Sequence, residues 1–116
     1  TTLILKREGY FVELNLYIKY DEGKKMWIVS PVGDVDIYTS PKLKEVLIDS
    51  FNKQEANILI DGEKLEYVDS TGLGVLIGIL KRAREKGYDV YIKNIKPNIR
   101  KLFDITGLDK VFIIEE

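Results

Sequence analysis

Residues 58–87 read ILIDGEKLEYVDSTGLGVLIGILKRAREKG, and the hydrophobic period changes inside that stretch. Ile58, Leu59 and Ile60 form a continuous apolar run ending in Asp61, the pattern of a central strand covered on both faces. From Thr71 to Lys86 the apolar residues return at helical spacing, with Leu73, Leu76, Ile77 and Leu80 on one stripe. Gly87 stands where a C-cap belongs. A buried strand followed by an amphipathic helix is the building unit of a parallel α/β sheet.

The flanks extend the same pattern. Upstream, Ser40-Pro41 reads as a helix start, a hydroxyl N-cap followed by proline at the first helical position. Leu43, Val46, Leu47 and Phe51 then carry one apolar stripe to about Lys53. Downstream, Val90 and Ile92 mark a strand, Pro97 opens a third helix that Gly107 closes, and Val111 to Ile114 forms a last short strand. Before the first helix, Phe11 to Tyr20 alternates strictly, with Val12, Leu14, Leu16 and Ile18 on one face. Asp21-Glu22-Gly23 is a turn signal, and Met26 to Val32 is the returning strand, with Pro31 near its end. Residues 1–10 leave room for one more strand at Leu3 to Leu5. The expectation is a single α/β domain over 1–116. It is a mixed, mainly parallel β-sheet with an N-terminal antiparallel hairpin and about three helices packed on it.

Composition narrows the chemistry. The 116 residues include 18 Lys plus Arg, 19 Asp plus Glu, no His and no Cys. There is therefore no Ser-His or Cys-His base pair, no thiol nucleophile, no disulfide and no His or thiolate metal ligand. A net charge of −1 gives no general attraction to nucleic acid or anionic lipid. The longest apolar stretch, Leu73 to Leu80, is far short of the roughly 20 residues that cross a bilayer. No leader pattern opens the sequence, so a cytoplasmic protein without nucleic-acid or membrane partners is expected. Gly74 and Gly78 form a GxxxG, read here as a close approach of helix to sheet.

The densest cluster of unusual residues is Tyr67 to Gly74, at the junction of strand and helix where open α/β sheets present functional groups. Asp69, Ser70 and Thr71 all suit an N-cap, although one suffices. Gly72 and Gly74 each cost roughly 1 kcal/mol in a helix interior. A bare backbone at a helix N-terminus suits an anion, yet neither a P-loop nor a dinucleotide fingerprint is present. The remaining phosphate chemistry is a hydroxyl that itself receives a phosphoryl group. Other readings stay open at this point: simple capping, a Mg²⁺ site from Asp34, Asp36 and Asp69, a dehalogenase-type phosphatase built on Asp34-Val35-Asp36, or a receiver-like acceptor at Asp61.

The combination Ile58-Leu59-Ile60-Asp61 with Val68-Asp69-Ser70-Thr71-Gly72-Leu73-Gly74 resembles the signature of the STAS domain, in particular the bacterial anti-sigma factor antagonists. Gly33-Asp34-Val35-Asp36 and Leu102-Phe103-Asp104-Ile105-Thr106-Gly107-Leu108 resemble two further segments of that family, in the same order. The resemblance implies a regulatory domain rather than an enzyme, with Ser70 as the phosphorylated residue and Thr71 as the alternative. Asp36, Asp69, Gly72 and Gly74 would surround that site. It implies an anti-sigma factor with serine kinase activity as partner, a serine phosphatase of the metal-dependent type that resets the cycle, and no cofactor beyond the ATP that the kinase uses. A monomer or weak dimer is expected. The same family also contains interaction modules that are not phosphorylated. The family usually closes with a helix after the last strand, whereas two residues, Glu115 and Glu116, follow Ile114 in this sequence. On the helix following Ser70, Val75 and Ile79 are expected to point away from the core beside Arg82, forming with Asp34 a partner-contact surface.

Overall fold

A computed structural model describes the backbone of residues 2–7 and 10–115, and side-chain environments from Asn15 to Glu115. The elements run β1 (Thr2–Arg7), β2 (Tyr10–Asp21), β3 (Met26–Val35), α1 (Ser40–Lys53), β4 (Asn57–Asp61), β5 (Leu65–Val68), α2 (Ser70–Glu85), β6 (Val90–Lys93), α3 (Pro97–Thr106) and β7 (Ile113–Glu115). The sheet order is β1-β2-β3-β4-β6-β7, and β5 pairs with the far end of β3. The first three strands are antiparallel and the remaining pairings are parallel.

Register explains the core. Ile18, Val29, Ile60, Ile92 and Ile114 stand opposite one another across five strands. Because side chains alternate across a strand, this whole row faces one way. It meets Leu43, Leu47 and Phe51 of α1, Leu73, Leu76 and Leu80 of α2, and Ile99 and Phe103 of α3 in one hydrophobic core. The hairpin register is held at its turn by Asp21, whose Oδ1 accepts the Lys24 N–H at 2.9 Å. That backbone bond holds the Asp21 carboxyl below its ordinary value.

β3 changes partners along its length. Met26 to Val29 pair with β4, whereas Gly33 to Val35 pair with β5, with a bulge between Gly33 and Asp34. Pro31, which has no N–H to donate, stands between the two pairings. Gly33 adopts φ +91°, a left-handed conformation that glycine takes without strain. β5 escapes the sequence reading because it has four residues, with only Leu65 and Val68 buried at its ends and no alternation between them.

Three expectations change. Ser40 is the first residue of α1 rather than its cap: Thr39 precedes the helix, and the Ser40 Oγ is buried without a hydrogen-bond partner among the described residues. Ile79 does not point to solvent. It is 3% exposed, because α1 lies alongside α2 and adds a second buried face that a single-helix periodicity cannot show. Gly74 and Gly78 serve no close approach to the sheet, since a Cβ built on either meets no atom within 4 Å. The close approach belongs to Gly72, where a Cβ would lie 2.7 Å from the Val35 carbonyl oxygen and 2.9 Å from Val68.

These two kinds of glycine are separable by melting temperature. Gly72→Ala forces strand and helix apart, and overpacking of this sort destabilises by about 1–3 kcal/mol. Gly78→Ala gains helix propensity of up to about 1 kcal/mol, which raises the melting temperature of a domain this size by about 4 °C. A rise for Gly72→Ala, or a fall for Gly78→Ala, would contradict this assignment.

Candidate functional site

The site is built around one carboxylate. Asp69, in extended conformation between β5 and α2, caps the helix: its Oδ1 accepts the Gly72 N–H at 2.9 Å. Its Oδ2 accepts the Ile37 N–H at 3.1 Å, from the connection between β3 and α1. The Asp69 N–H donates to the Val35 carbonyl at 3.2 Å, so the junction is also held through its backbone.

The connection itself, residues 36–39, is closed by short-range bonds. Asp36 Oδ1 accepts the N–H groups of Tyr38 (2.9 Å) and Thr39 (3.1 Å). The Thr39 hydroxyl accepts the Asp36 N–H and donates to the Asp34 carbonyl, both at 3.0 Å. A side chain that binds its own backbone two and three residues on is a turn former, and here it fixes the loop tip. That tip presents Ile37 and Tyr38, 57% and 44% exposed. Thr39, by contrast, is buried at 2%.

Ser70 and Thr71 open α2 and are both exposed. The Ser70 hydroxyl has no hydrogen-bond partner among the described residues. A cleft of about 550 Å³ lies beside it, between the start of α2 and α3, lined by Tyr67, Ser70, Leu73, Asn98 and Leu102. Tyr67 is 51% exposed. Ser70 is thus an exposed hydroxyl at the positive end of a helix dipole, with Tyr67 in the same cleft and the Ile37–Tyr38 loop tip tied to its neighbour Asp69.

The structure brings Asp36, Asp69, Ser70 and Gly72 into one neighbourhood. Asp34 is exposed on β3, opposite Tyr67 of β5. Val75, Ile79, Gly74 and Arg82 lie elsewhere, in a groove between α1 and α2. There Arg82 Nη2 donates to Asn52 Oδ1 at 3.1 Å. The carboxylates of Asp36 and Asp69 are engaged with backbone N–H groups, in the loop and at the helix cap. The sequence reading missed Ile37 and Tyr38, and placed Tyr67 in the candidate cluster without a role. Their signal was present: Ile37 and Tyr38 are large side chains in a four-residue connection, where no strand or helix face could bury them.

Removing the carboxylate separates structure from display. Asp69→Ala deletes the cap and the loop anchor together and lowers stability by about 1–2 kcal/mol. Ser70→Ala removes no hydrogen bond and stays within about 0.5 kcal/mol of the parent. Chemical denaturation compares them, and equal midpoints for the two variants would contradict the bridging role of Asp69.

Comparison with known proteins places this geometry. A family model described as the STAS domain matches residues 17–116. An anti-sigma-B factor antagonist of Staphylococcus aureus is 35% identical over 103 residues, covering 89% of this chain and 95% of the relative. Among solved structures, an anti-sigma factor antagonist from Mycobacterium paratuberculosis aligns with a TM-score of 0.73 and 25% identity over 87% of this chain and 84% of that one. The Bacillus cell fate determinant SpoIIAA, solved in its phosphorylated form, aligns with a TM-score of 0.69 and 17% identity over 88% and 92%.

Proposed function

The chain belongs to the STAS domain family, and within it we propose a partner-switching anti-sigma factor antagonist in which phosphorylation of Ser70 turns binding off. The domain is regulatory and not an enzyme, and its relatives support the antagonist role. The observation that carries the switch is the exposed Ser70 hydroxyl, without a hydrogen-bond partner among the described residues, beside exposed Tyr67 in one cleft and next to Asp69, which tethers the exposed Ile37–Tyr38 loop tip.

In this reading the unphosphorylated surface captures an anti-sigma factor that is also a serine kinase, and the sigma factor is released. The kinase then supplies what this chain lacks. It holds ATP and takes the Ser70 proton; the hydroxyl oxygen attacks the γ-phosphorus and ADP leaves. A metal-dependent serine phosphatase hydrolyses the phosphoserine and restores the binding form. This chain needs no cofactor of its own, works in the cytoplasm as a monomer or weak dimer, and Thr71 is the alternative acceptor. Among its described residues, no helix is long and apolar enough to cross a membrane.

Magnitudes favour a switch in docking over a switch in folding. Phosphoserine adds about −1.5 to −2 charge at pH 7. The helix dipole stabilises that charge by about 0.3–1 kcal/mol. Repulsion from Asp69 opposes it by about 1–2 kcal/mol at ~4 Å in water-like surroundings. The two nearly cancel in the free domain. At an interface, burying an unpaired dianion costs several kcal/mol, and each 1.4 kcal/mol is about tenfold in affinity.

Mixing the chain with the anti-sigma factor of its own organism and ATP is expected to add one phosphate, at Ser70, and to dissolve the complex as it appears. Native mass spectrometry with fragment mapping follows both events. A complex that persists with ATP and carries no phosphate would instead identify an interaction module without the switch. Ser70→Asp is expected to leave the melting temperature within a few degrees of the parent.

A further inference from the structure

We propose that the groove between α1 and α2 is a docking channel for an acidic amphipathic helix of the protein partner. This rests on the reading above only for who the partner is. The groove has a volume of about 520 Å³, and its wall begins at Thr71, the neighbour of Ser70. Ser70 itself lines the cleft on the α3 side, so hydroxyl and groove flank the same first turn of α2.

Three observations converge on an occupant. The first is the floor. Gly74 and Gly78 are exposed on α2, and a Cβ on either would meet nothing within 4 Å. Two interior glycines weaken a helix, and neither is required by contacts within this domain. Bare backbone at spacing four leaves a lane in which another helix can approach closely. Half-buried Ile48 and Val75 flank this lane on either side, over buried Leu47 and Ile79.

The second is an unsatisfied hydroxyl. Ser40 stands in the wall of the groove and is 1% exposed, and its Oγ has no hydrogen-bond partner among the described residues. Buried polar groups are ordinarily paired, so a missing partner marks a place where an incoming polar group can complete the bond. The third is charge. Lys44 and Arg82 are the charged residues lining the groove, both cationic and both exposed. An apolar channel with cations along its rim matches a helix with leucine-like residues on one face and carboxylates beside them. A basic or neutral helix fits the channel's shape but not its rim.

The test needs no cognate partner. The probes are two synthetic amphipathic helices with the same leucine face, one carrying glutamates on the opposite face and the other lysines. Each is titrated into the isotope-labelled chain while amide shifts are followed. The glutamate helix is expected to shift the Thr71, Gly74 and Gly78 amides saturably, and to bind about tenfold more tightly than the lysine helix. Gly78→Leu fills the lane and is expected to abolish those shifts. Its melting temperature and amide spectrum show whether the fold survives. If that variant fails to fold, the double charge reversal Lys44→Glu with Arg82→Glu serves instead, and is expected to invert the preference toward the lysine helix. Ser40→Ala is expected to weaken the glutamate helix without lowering the melting temperature. Equal binding of both probes, or shifts confined to residues outside the groove, would overturn the proposal. Phosphorylation of Ser70 plays no part in these titrations, so its absence would sink the switch and leave the docking channel standing.

Discussion

The arrangement of this molecule depends on the two oxygens of Asp69. One closes the first turn of α2 by accepting the Gly72 N–H, and the other holds the β3–α1 connection through the Ile37 N–H. Gly72 makes the bridge possible, because a Cβ at that position would lie 2.7 Å from the Val35 carbonyl oxygen and push α2 away. Cap, loop and helix are therefore fixed as one unit. Ser70 follows immediately, and its position is set by a neighbour that is itself pinned at both ends. A capping aspartate is ordinary; one that also tethers a separate loop converts helix capping into the shaping of a surface.

That surface carries the Ser70 hydroxyl with exposed Thr71, Tyr67, Ile37 and Tyr38 nearby in the chain or the fold. The domain has no His or Cys, so nothing in it can act as an imidazole or thiolate base toward that hydroxyl. In the proposed switch, activation of that hydroxyl is the work of the partner kinase. A net charge of −1 leaves little background field. Against it, two negative charges at one position change the local potential sharply and the global charge little. In the proposed switch the fold would tolerate them, because the helix dipole and Asp69 act in opposite directions. A partner's buried surface has no such compensation.

Much of this was legible from residue patterns. The change of period around Ile58 to Gly87, the Pro41 and Pro97 helix starts, and the glycines at 87 and 107 state their roles in local backbone terms, so they survive intact in the structure. Capping chemistry likewise marked Asp69. What stayed hidden depends on contacts between distant elements. Ile79 looks exposed on an isolated helix and is buried by α1, and the Ser40 hydroxyl looks like a cap and turns out to have no partner among the described residues. β5 carries no alternation to reveal it. The tether from Asp69 to Ile37 spans 32 residues, a distance over which no periodicity reports.

The account stands on phosphate at Ser70 acting at the interface and not on the fold. Titration calorimetry of the anti-sigma partner against purified chain, unmodified and fully phosphorylated at Ser70, measures that directly. A loss of at least about tenfold in affinity is expected for the phosphorylated form. Equal affinity of the two forms would contradict the account.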